Sequence, residues 1–244
     1  MIKVSKLGAI IVAAGRSERI GGADKLFLPL GGKPLLAWSV DTCGECNLVH
    51  QVVVVLSEGN LQLGQKLVKE RSWSKAAVVC LGGKRRQDSV RQGLNKLKGC
   101  DWVMIHDGDR PFLTSDLIQR GLKTVMEAGA TAAAVPVKET IKLSGEDMLV
   151  EETLPRSRLW VAQTPQIFRF DIIVKAYQQV DEEGTDDASL VEKLGYKVKL
   201  YAGGYDNIKV TTPEDLALAK IIAKDKGKDA CWNRLRCSPT DFRA

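Results

Sequence analysis

Five short apolar runs divide the first part of the chain. They cover residues 7–14 (LGAIIVAA), 49–56 (VHQVVVVL), 76–81 (AAVVCL), 101–106 (DWVMIH) and 131–137 (TAAAVPV). Each has the length and β-branched content of a strand buried on both faces. Between them, residues 34–43, 60–71, 88–97 and 114–128 carry helical spacing, with Thr114 or Ser115 available as a cap. A regular alternation of strand and helix predicts an α/β fold with a doubly wound, mostly parallel sheet. Ligands of such sheets bind beyond the carboxyl ends of the strands.

The loops at that edge have the composition this rule asks for. After the first strand come Gly15, Gly21 and Gly22 with Arg16, Arg19 and Lys25, then Gly31, Gly32 and Pro34. The third strand runs into Gly82-Gly83-Lys84-Arg85-Arg86, and the fourth into Asp107-Gly108-Asp109-Arg110-Pro111. Small residues let the backbone approach a phosphate, and fixed cations neutralise it. Two common phosphate motifs are excluded by spacing. A P-loop would need Gly at Phe27 and Ser or Thr at Pro34, and the dinucleotide fingerprint fails because Arg16 and Ser17 follow Gly15. The convergence of three such loops predicts a nucleotide site of another type.

The remainder bounds the protein class. At 244 residues the chain suits one large domain, or a domain with an appendage. The net charge of +6 is dispersed, without basic-aromatic alternation, which points to small anionic substrates and away from nucleic acid. Cys43-x-x-Cys46 has metal-ligand spacing, yet no second pair of Cys or His completes four ligands. Reduced thiols are expected for all six cysteines. Lys3 and Lys6 before an apolar run imitate a signal peptide, but the run is short and makes a first strand. No segment reaches the ~18 apolar residues of a membrane helix. A cytoplasmic protein without membrane or nucleic-acid partners is expected.

The pattern changes after residue 137. Residues 138–143 and 148–154 read as two polar-apolar strands around a turn at 144–147, too poor in apolar residues for a core. A projecting β-arm, about 138–157, is expected, and exposed arms commonly meet a partner subunit. Residues 160–168 return to the sheet, with Pro165 limiting them to an edge or a loop. Helices follow at 171–179 and 188–194, a strand at 197–202, and a last helix ending near 223. The expected organisation is one domain over 1–224 and a loosely attached polar tail over 225–244.

Several side chains carry the chemistry. Asp107, at a strand end facing a cationic loop, suits Mg²⁺ bridging to a nucleoside triphosphate, with Asp206 as a second ligand. The alternative for each is a helix cap or turn residue. Lys25, Arg19 and Lys209 together would surround a triphosphate, and Arg110 and Arg156 a second anion. His106 reads as a general base or as a structural strand-end residue, and an ionised phosphate nucleophile needs no base. A Ser89–His106–Asp triad is rejected because no G-x-S-x-G elbow is present.

These motifs occur in a familiar order. Ala13-Ala14-Gly15 is followed by Arg19 and Lys25. Then come G-G-x-x-R-x-x-S-V from Gly82 to Val90, and H-D-x-x-R-P from His106 to Pro111. Thr140 lies in V-P-V-K-E-T, Arg156 in T-L-P-R, Thr164 in Q-T-P-Q, Thr185 in T-D-D-A-S, and D-N-I-K-V-T spans Asp206 to Thr211. Over residues 6–223 the chain resembles the 2-C-methyl-D-erythritol 4-phosphate cytidylyltransferase family. The resemblance implies a Rossmann-like sheet of the nucleotidyltransferase type. It implies that Ala13, Ala14, Gly15, Gly83, Ser89, Asp107 and Gly108 bind CTP, with Arg19, Lys25 and Lys209 catalytic. Asp107 and Asp206 would associate with Mg²⁺ or another divalent cation. Arg110, Thr140, Arg156, Thr164 and Thr185 would bind the polyol phosphate, in a homodimer whose β-arm reaches the partner's site.

Three features depart from the family pattern. Asp109 stands where a small residue is usual, and is expected either to pair with Arg110 or to face solvent. Arg16-Ser17 stands where a glycine is common nearby, and the tail matches nothing. Ribitol-5-phosphate cytidylyltransferase, a nucleotidyltransferase acting on a sugar phosphate, and a non-catalytic nucleotide-binding module are the rival readings. The complete D-S-V after Arg86 favours the methylerythritol enzyme.

Overall fold

The computed structural model describes residues 6–15, 24–73, 75, 78–180 and 182–226. Residues 227–244 of the expected tail, Arg16, Arg19, Cys231 and Cys237 lie outside the described residues, while Asp225 and Lys226 continue the last helix.

The chain opens with β1 (Leu7–Ala13), a small hairpin of β2 (Pro29–Leu30) and β3 (Lys33–Pro34), and α1 (Leu35–Glu45). Gly31 and Gly32 make the hairpin turn at φ of +57° and +86°, where a side chain would be strained. Next come β4 (Val49–Leu56), α2 (Leu61–Glu70), β5 (Val78–Leu81), α3 (Arg86–Lys96), β6 (Trp102–Asp107), α4 (Ser115–Ala128) and β7 (Ala130–Pro136). Thr114 caps α4, its side chain accepting from the Leu117 N–H, and Gly129 ends that helix in the left-handed region. The arm is β8 (Lys142–Ser144) and β9 (Val150–Thr153). The chain closes with β10 (Trp160–Arg169), α5 (Phe170–Gln179), α6 (Asp187–Lys193), β11 (Lys199–Ala202) and α7 (Pro213–Lys226).

Seven strands form the central sheet in the order β11-β7-β10-β6-β1-β4-β5. All neighbours are parallel except β10, which runs antiparallel to both β6 and β7. The period of two along each strand sends alternate side chains to opposite faces. Ile11, Val52 and Val54 join one core with α1, α4 and α7; Ile10, Val53 and Val55 join the other with α3, α5 and α6. Both faces are therefore covered, as the uninterrupted apolar runs required.

One expectation fails here. β10 is an interior strand between β7 and β6, not an edge strand. Pro165 is tolerated because the β10–β7 register breaks between Ala162 and Gln166, and pairing to β6 begins at Gln166. A residue without an N–H sits where the ladder asks for none. The arm strands are also shorter than expected, since only three and four residues keep strand geometry.

Candidate active site

β6, β1, β4 and β5 end in that order along one edge of the sheet, with their following loops. The Gly108 N–H donates to the Val12 carbonyl and the Gly82 N–H to the Leu56 carbonyl, each at 2.8 Å. A Cβ on Gly82 would lie 2.4 Å from Ala14 Cβ, so only glycine lets the first and third loops touch. The Ser89 hydroxyl accepts from the Gly83 N–H and donates to the Arg85 carbonyl, both at 3.1 Å, fixing that loop to the start of α3. The positive end of α3 thereby borders the space above the strand ends.

That space is a cleft of about 560 Å³. Its floor is Ala13, Ala14 and Gly15, its walls Gly82 to Arg86, Ser89 and the 57–59 loop after β4, and its charged rim Lys25, Asp107, Asp109 and Lys209. A second cleft of about 280 Å³ adjoins it, lined by Arg110, Gln163, Thr164, Gln166, Thr185 and Asp186 among others. Arg86, Asp107 and Lys209 border both clefts.

Asp107 is the centre of this shared wall. Its Oδ1 accepts from Arg86 Nε and Nη2 at 3.2 and 3.1 Å, and its Oδ2 from Lys209 Nζ at 3.0 Å. Arg110 Nε stands 3.6 Å from Oδ2. Burial alone would raise the Asp107 pKa, but Arg86, Lys209 and Arg110 hold it well below the usual carboxylate range. Arg86 Nη2 also donates to Asp187 Oδ2 at 2.8 Å, and the Tyr177 hydroxyl donates to the other oxygen of Asp187. Burial works against the Arg86 charge, and the two carboxylates, Asp187 and Asp107, more than offset it.

Behind the wall lies His106, fully buried. Its Nε2 meets the Arg110 carbonyl at 3.0 Å, and its Nδ1 meets Thr164 Oγ1 at 3.1 Å. Nε2–H therefore donates to the carbonyl, and Nδ1 accepts from the threonine. Thr164 Oγ1 in turn accepts from the Asp107 N–H at 3.0 Å. Desolvation lowers the His106 pKa to about 4. This neutral histidine orients its neighbours and does not act as a base toward either cleft.

The structure brings Ala13, Ala14, Gly15, Lys25, Gly83, Ser89, Asp107 and Lys209 to the first cleft, and Arg110, Thr164 and Thr185 to the second. Gly108 packs its backbone against β1 and lines neither cleft. Thr140 and Arg156 are exposed on the arm, where Arg156 Nη1 donates to the Lys138 carbonyl at 2.8 Å. Asp206 also lines neither cleft.

Asp109 corrects its expectation. It pairs with Lys25 at 2.6 Å rather than with Arg110, whose Nη1 instead donates to the Asn207 carbonyl at 2.8 Å. Two further contributions were not assigned from sequence. Arg86 stood in a motif without a role, although a cation in the first turn of a helix behind a Gly-Gly pair was a usable signal. The 57–59 loop gave none, being short and without cations. Cys43 and Cys46 are buried, and desolvation pushes the Cys43 thiol up, which disfavours its reactive thiolate.

A divalent cation finds limited room. Among the described residues no group of three or more His, Cys, Asp or Glu could hold a metal. Magnesium characteristically binds one or two carboxylates plus substrate phosphates. Asp107 fits that single contact through a remaining lone pair on Oδ2.

The family model described as 2-C-methyl-D-erythritol 4-phosphate cytidylyltransferase matches residues 7–225. The protein of that name from Dehalococcoides mccartyi is 50% identical over 223 residues, spanning 91% of this chain and 98% of its own. That from Alkaliphilus oremlandii is 40% identical, spanning 93% of this chain and 98% of its own. Among solved structures, 4-diphosphocytidyl-2C-methyl-D-erythritol synthase from Anaerococcus prevotii superposes with a TM-score of 0.82 at 27% identity, covering 91% of this chain and 98% of its own. No helix among the described residues is long and apolar enough to cross a membrane. With a family model spanning nearly all of the described fold, and a half-identical relative spanning 91% of the sequence, the chain belongs to the 2-C-methyl-D-erythritol 4-phosphate cytidylyltransferase family.

Proposed function

We propose that the protein transfers the cytidylyl group of CTP to 2-C-methyl-D-erythritol 4-phosphate, releasing pyrophosphate and forming 4-diphosphocytidyl-2-C-methyl-D-erythritol for isoprenoid precursor synthesis. The observation that carries this reading is the shared wall: two clefts meet at Arg86, Asp107 and Lys209. A phosphate in the smaller cleft and an α-phosphorus in the larger one would approach each other there. Both reactants are anions, so the obstacle is repulsion and orientation rather than proton transfer.

The small residues of the floor, with Gly83 and Ser89, accept cytosine and ribose and leave too little volume for a purine. Lys25 and Lys209, joined by Arg19, neutralise the triphosphate and the charge that develops during in-line attack. Arg86 holds Asp107 in place at the junction. Asp107 is the residue that would hold Mg²⁺, which when bound would neutralise charge on the phosphate oxygens. Arg110, Thr164 and Thr185 receive the polyol phosphate. Thr140 and Arg156 reach the acceptor cleft of a second copy in a homodimer, a reading supported by the apolar side chains exposed along the arm, Leu143, Met148, Leu149 and Val150. The unpaired cysteines among the described residues support a cytoplasmic location.

Pyrophosphate release by the purified protein tests this reading. Release is expected with CTP, Mg²⁺ and methylerythritol 4-phosphate. Release with ribitol 5-phosphate or a sugar 1-phosphate in its place would assign a sister activity. CTP binding without release toward any acceptor would assign a nucleotide-binding module.

A further inference from the structure

Lys25 does not hang free at the cleft rim. Its ammonium donates to Asp109 Oδ2 at 2.6 Å and to the Val210 carbonyl at 2.7 Å. An ammonium has three N–H donors, so among the described residues the protein holds two and one remains. The Val210 N–H also donates to the Asp109 carbonyl at 2.8 Å. Three segments far apart in sequence therefore converge on one nitrogen: the turn after β6, the segment before α7, and the short 3-10 helix Lys25–Phe27.

We infer that Asp109 is a positioning residue for this reaction: it clamps Lys25 so that the remaining ammonium donor is kept for a nucleotide phosphate in the cleft both side chains line. The inference rests on the reading of Lys25 as a triphosphate ligand. Two observations set the pair apart from an ordinary surface ion pair. Both side chains are only 14% exposed, so solvent screens them little. Asp109 Oδ1 is buried and has no hydrogen-bond partner. Leaving a buried carboxylate oxygen unpaired is unfavourable for stability, so the arrangement is not one that folding alone would favour.

The carboxylate also opposes ground-state binding. A negative charge beside Lys25 cancels part of the field that attracts a triphosphate. What it supplies is geometry. A donor already fixed needs no reorganisation as charge develops at the reacting phosphorus. Asp109 therefore weakens CTP binding and raises turnover, and these opposite signs are the mark of a positioning role.

Three variants and one spectrum test this. Asp109→Ala is expected to lower kcat by ~10–10²-fold, the loss typical of a misplaced catalytic group, while CTP binding measured by calorimetry stays equal or tightens. Asp109→Asn, whose amide oxygen still accepts from Lys25, is expected to recover most of the lost kcat. In a Lys25→Ala background Asp109→Ala should add nothing further, because the two act as one unit. If Asp109→Ala does not fold, Asp109→Ser, too short to reach Lys25, takes its place with the same expected loss. The Lys25 Nζ resonance of ¹⁵N-lysine-labelled protein should be protected from solvent exchange in the wild type and unprotected in the Ala or Ser variant. Wild-type kcat in Asp109→Ala, or independent losses that multiply in the double variant, would overturn the inference. A wild-type protein that releases no pyrophosphate would overturn the proposed reaction instead, and the protection of Lys25 would then decide the clamp by itself.

Discussion

At the strand ends, Asp187, Arg86, Asp107 and Lys209 come from four separate segments and are joined in that order by hydrogen bonds, with Asp187 fully buried. On the arm, β8 and β9 pair only with each other, and Leu143, Met148, Leu149 and Val150 are 47 to 81% exposed. The first region is polar and closed, the second apolar at its tip and open. Charges at the centre are mutually satisfied within one chain, so that region is complete before substrate arrives. The arm buries too little to account for its own apolar residues, which the proposed second copy would cover. Under the proposed reaction, catalytic charge would belong to the region the chain finishes alone, and acceptor recognition would extend to the region it does not.

The sharpest way to break this contrast is to remove a central cation. Lys209→Ala is expected to lower kcat ~10²–10³-fold, in line with the loss of a preorganised donor at a developing charge. Its effect on stability should be slight, because the Lys209 side chain is 39% exposed and Asp107 keeps Arg86 and Arg110. A thermal shift assay beside steady-state kinetics separates the two effects, and an unchanged kcat would remove Lys209 from the reaction. Asp187→Ala probes the same region from behind. It takes a buried charge from Arg86 and an acceptor from the Tyr177 hydroxyl, so a loss of about 3 kcal/mol in urea unfolding is expected. A loss below about 1 kcal/mol would show that the centre relaxes rather than holds.

The sheet was readable because its strands are local patterns: β4 occupies the whole of the apolar run 49–56, and Thr114 caps α4 as its residue type suggests. The cleft lining was readable where a motif coincided with a strand end, as at Asp107. Partnerships between distant segments were not. Asp109 and Lys25 are 84 residues apart, and no local pattern ties a carboxylate after β6 to a lysine after β1. Arg110 was the nearer candidate partner, but its guanidinium is drawn to the Asn207 carbonyl. The same holds for β10: Pro165 argued locally for an edge or a loop, whereas the interruption of the ladder that tolerates it exists only in three dimensions. Asp187, 101 residues from Arg86, stood unremarked in T-D-D-A-S because burial, not sequence spacing, gives it its importance.

Lower pH should disturb the centre to a smaller extent, and the sign follows from its two perturbed groups. The folded protein keeps His106 neutral down to about pH 4, while the unfolded chain takes up a proton near the ordinary value of 6.5. Stability therefore falls as pH drops from 6.5 toward 4, by about 1 kcal/mol at pH 5.5. The Asp107 contribution has a different window. Its folded pKa is depressed, so its stabilisation is intact above the unfolded carboxylate value of about 3.9 and is lost below it. Unfolding midpoints between pH 7 and 5, measured without nucleotide or metal, should show the first slope alone. His106→Gln should flatten that slope, and a slope that persists in the variant would assign the proton elsewhere.

The smallest effect on stability is expected at the arm, and it tests the other half of the contrast. Met148→Asp combined with Leu149→Asp places two charges on side chains that are 81% and 69% exposed. Within one chain nothing is disrupted, so the stability of the isolated fold should change by less than about 0.5 kcal/mol. If a second copy covers the tip, the same charges must be desolvated on association, which disfavours the dimer strongly. Sedimentation should then show a dimer in the wild type and a monomer in the variant. The apparent KM for the polyol phosphate should rise in the variant as Thr140 and Arg156 leave the partner's cleft, while CTP binding at the strand ends should be unaffected. A variant that stays dimeric with an unaltered KM would show that the arm tip is not the interface, and the acceptor cleft would then have to be completed by the residues that already line it.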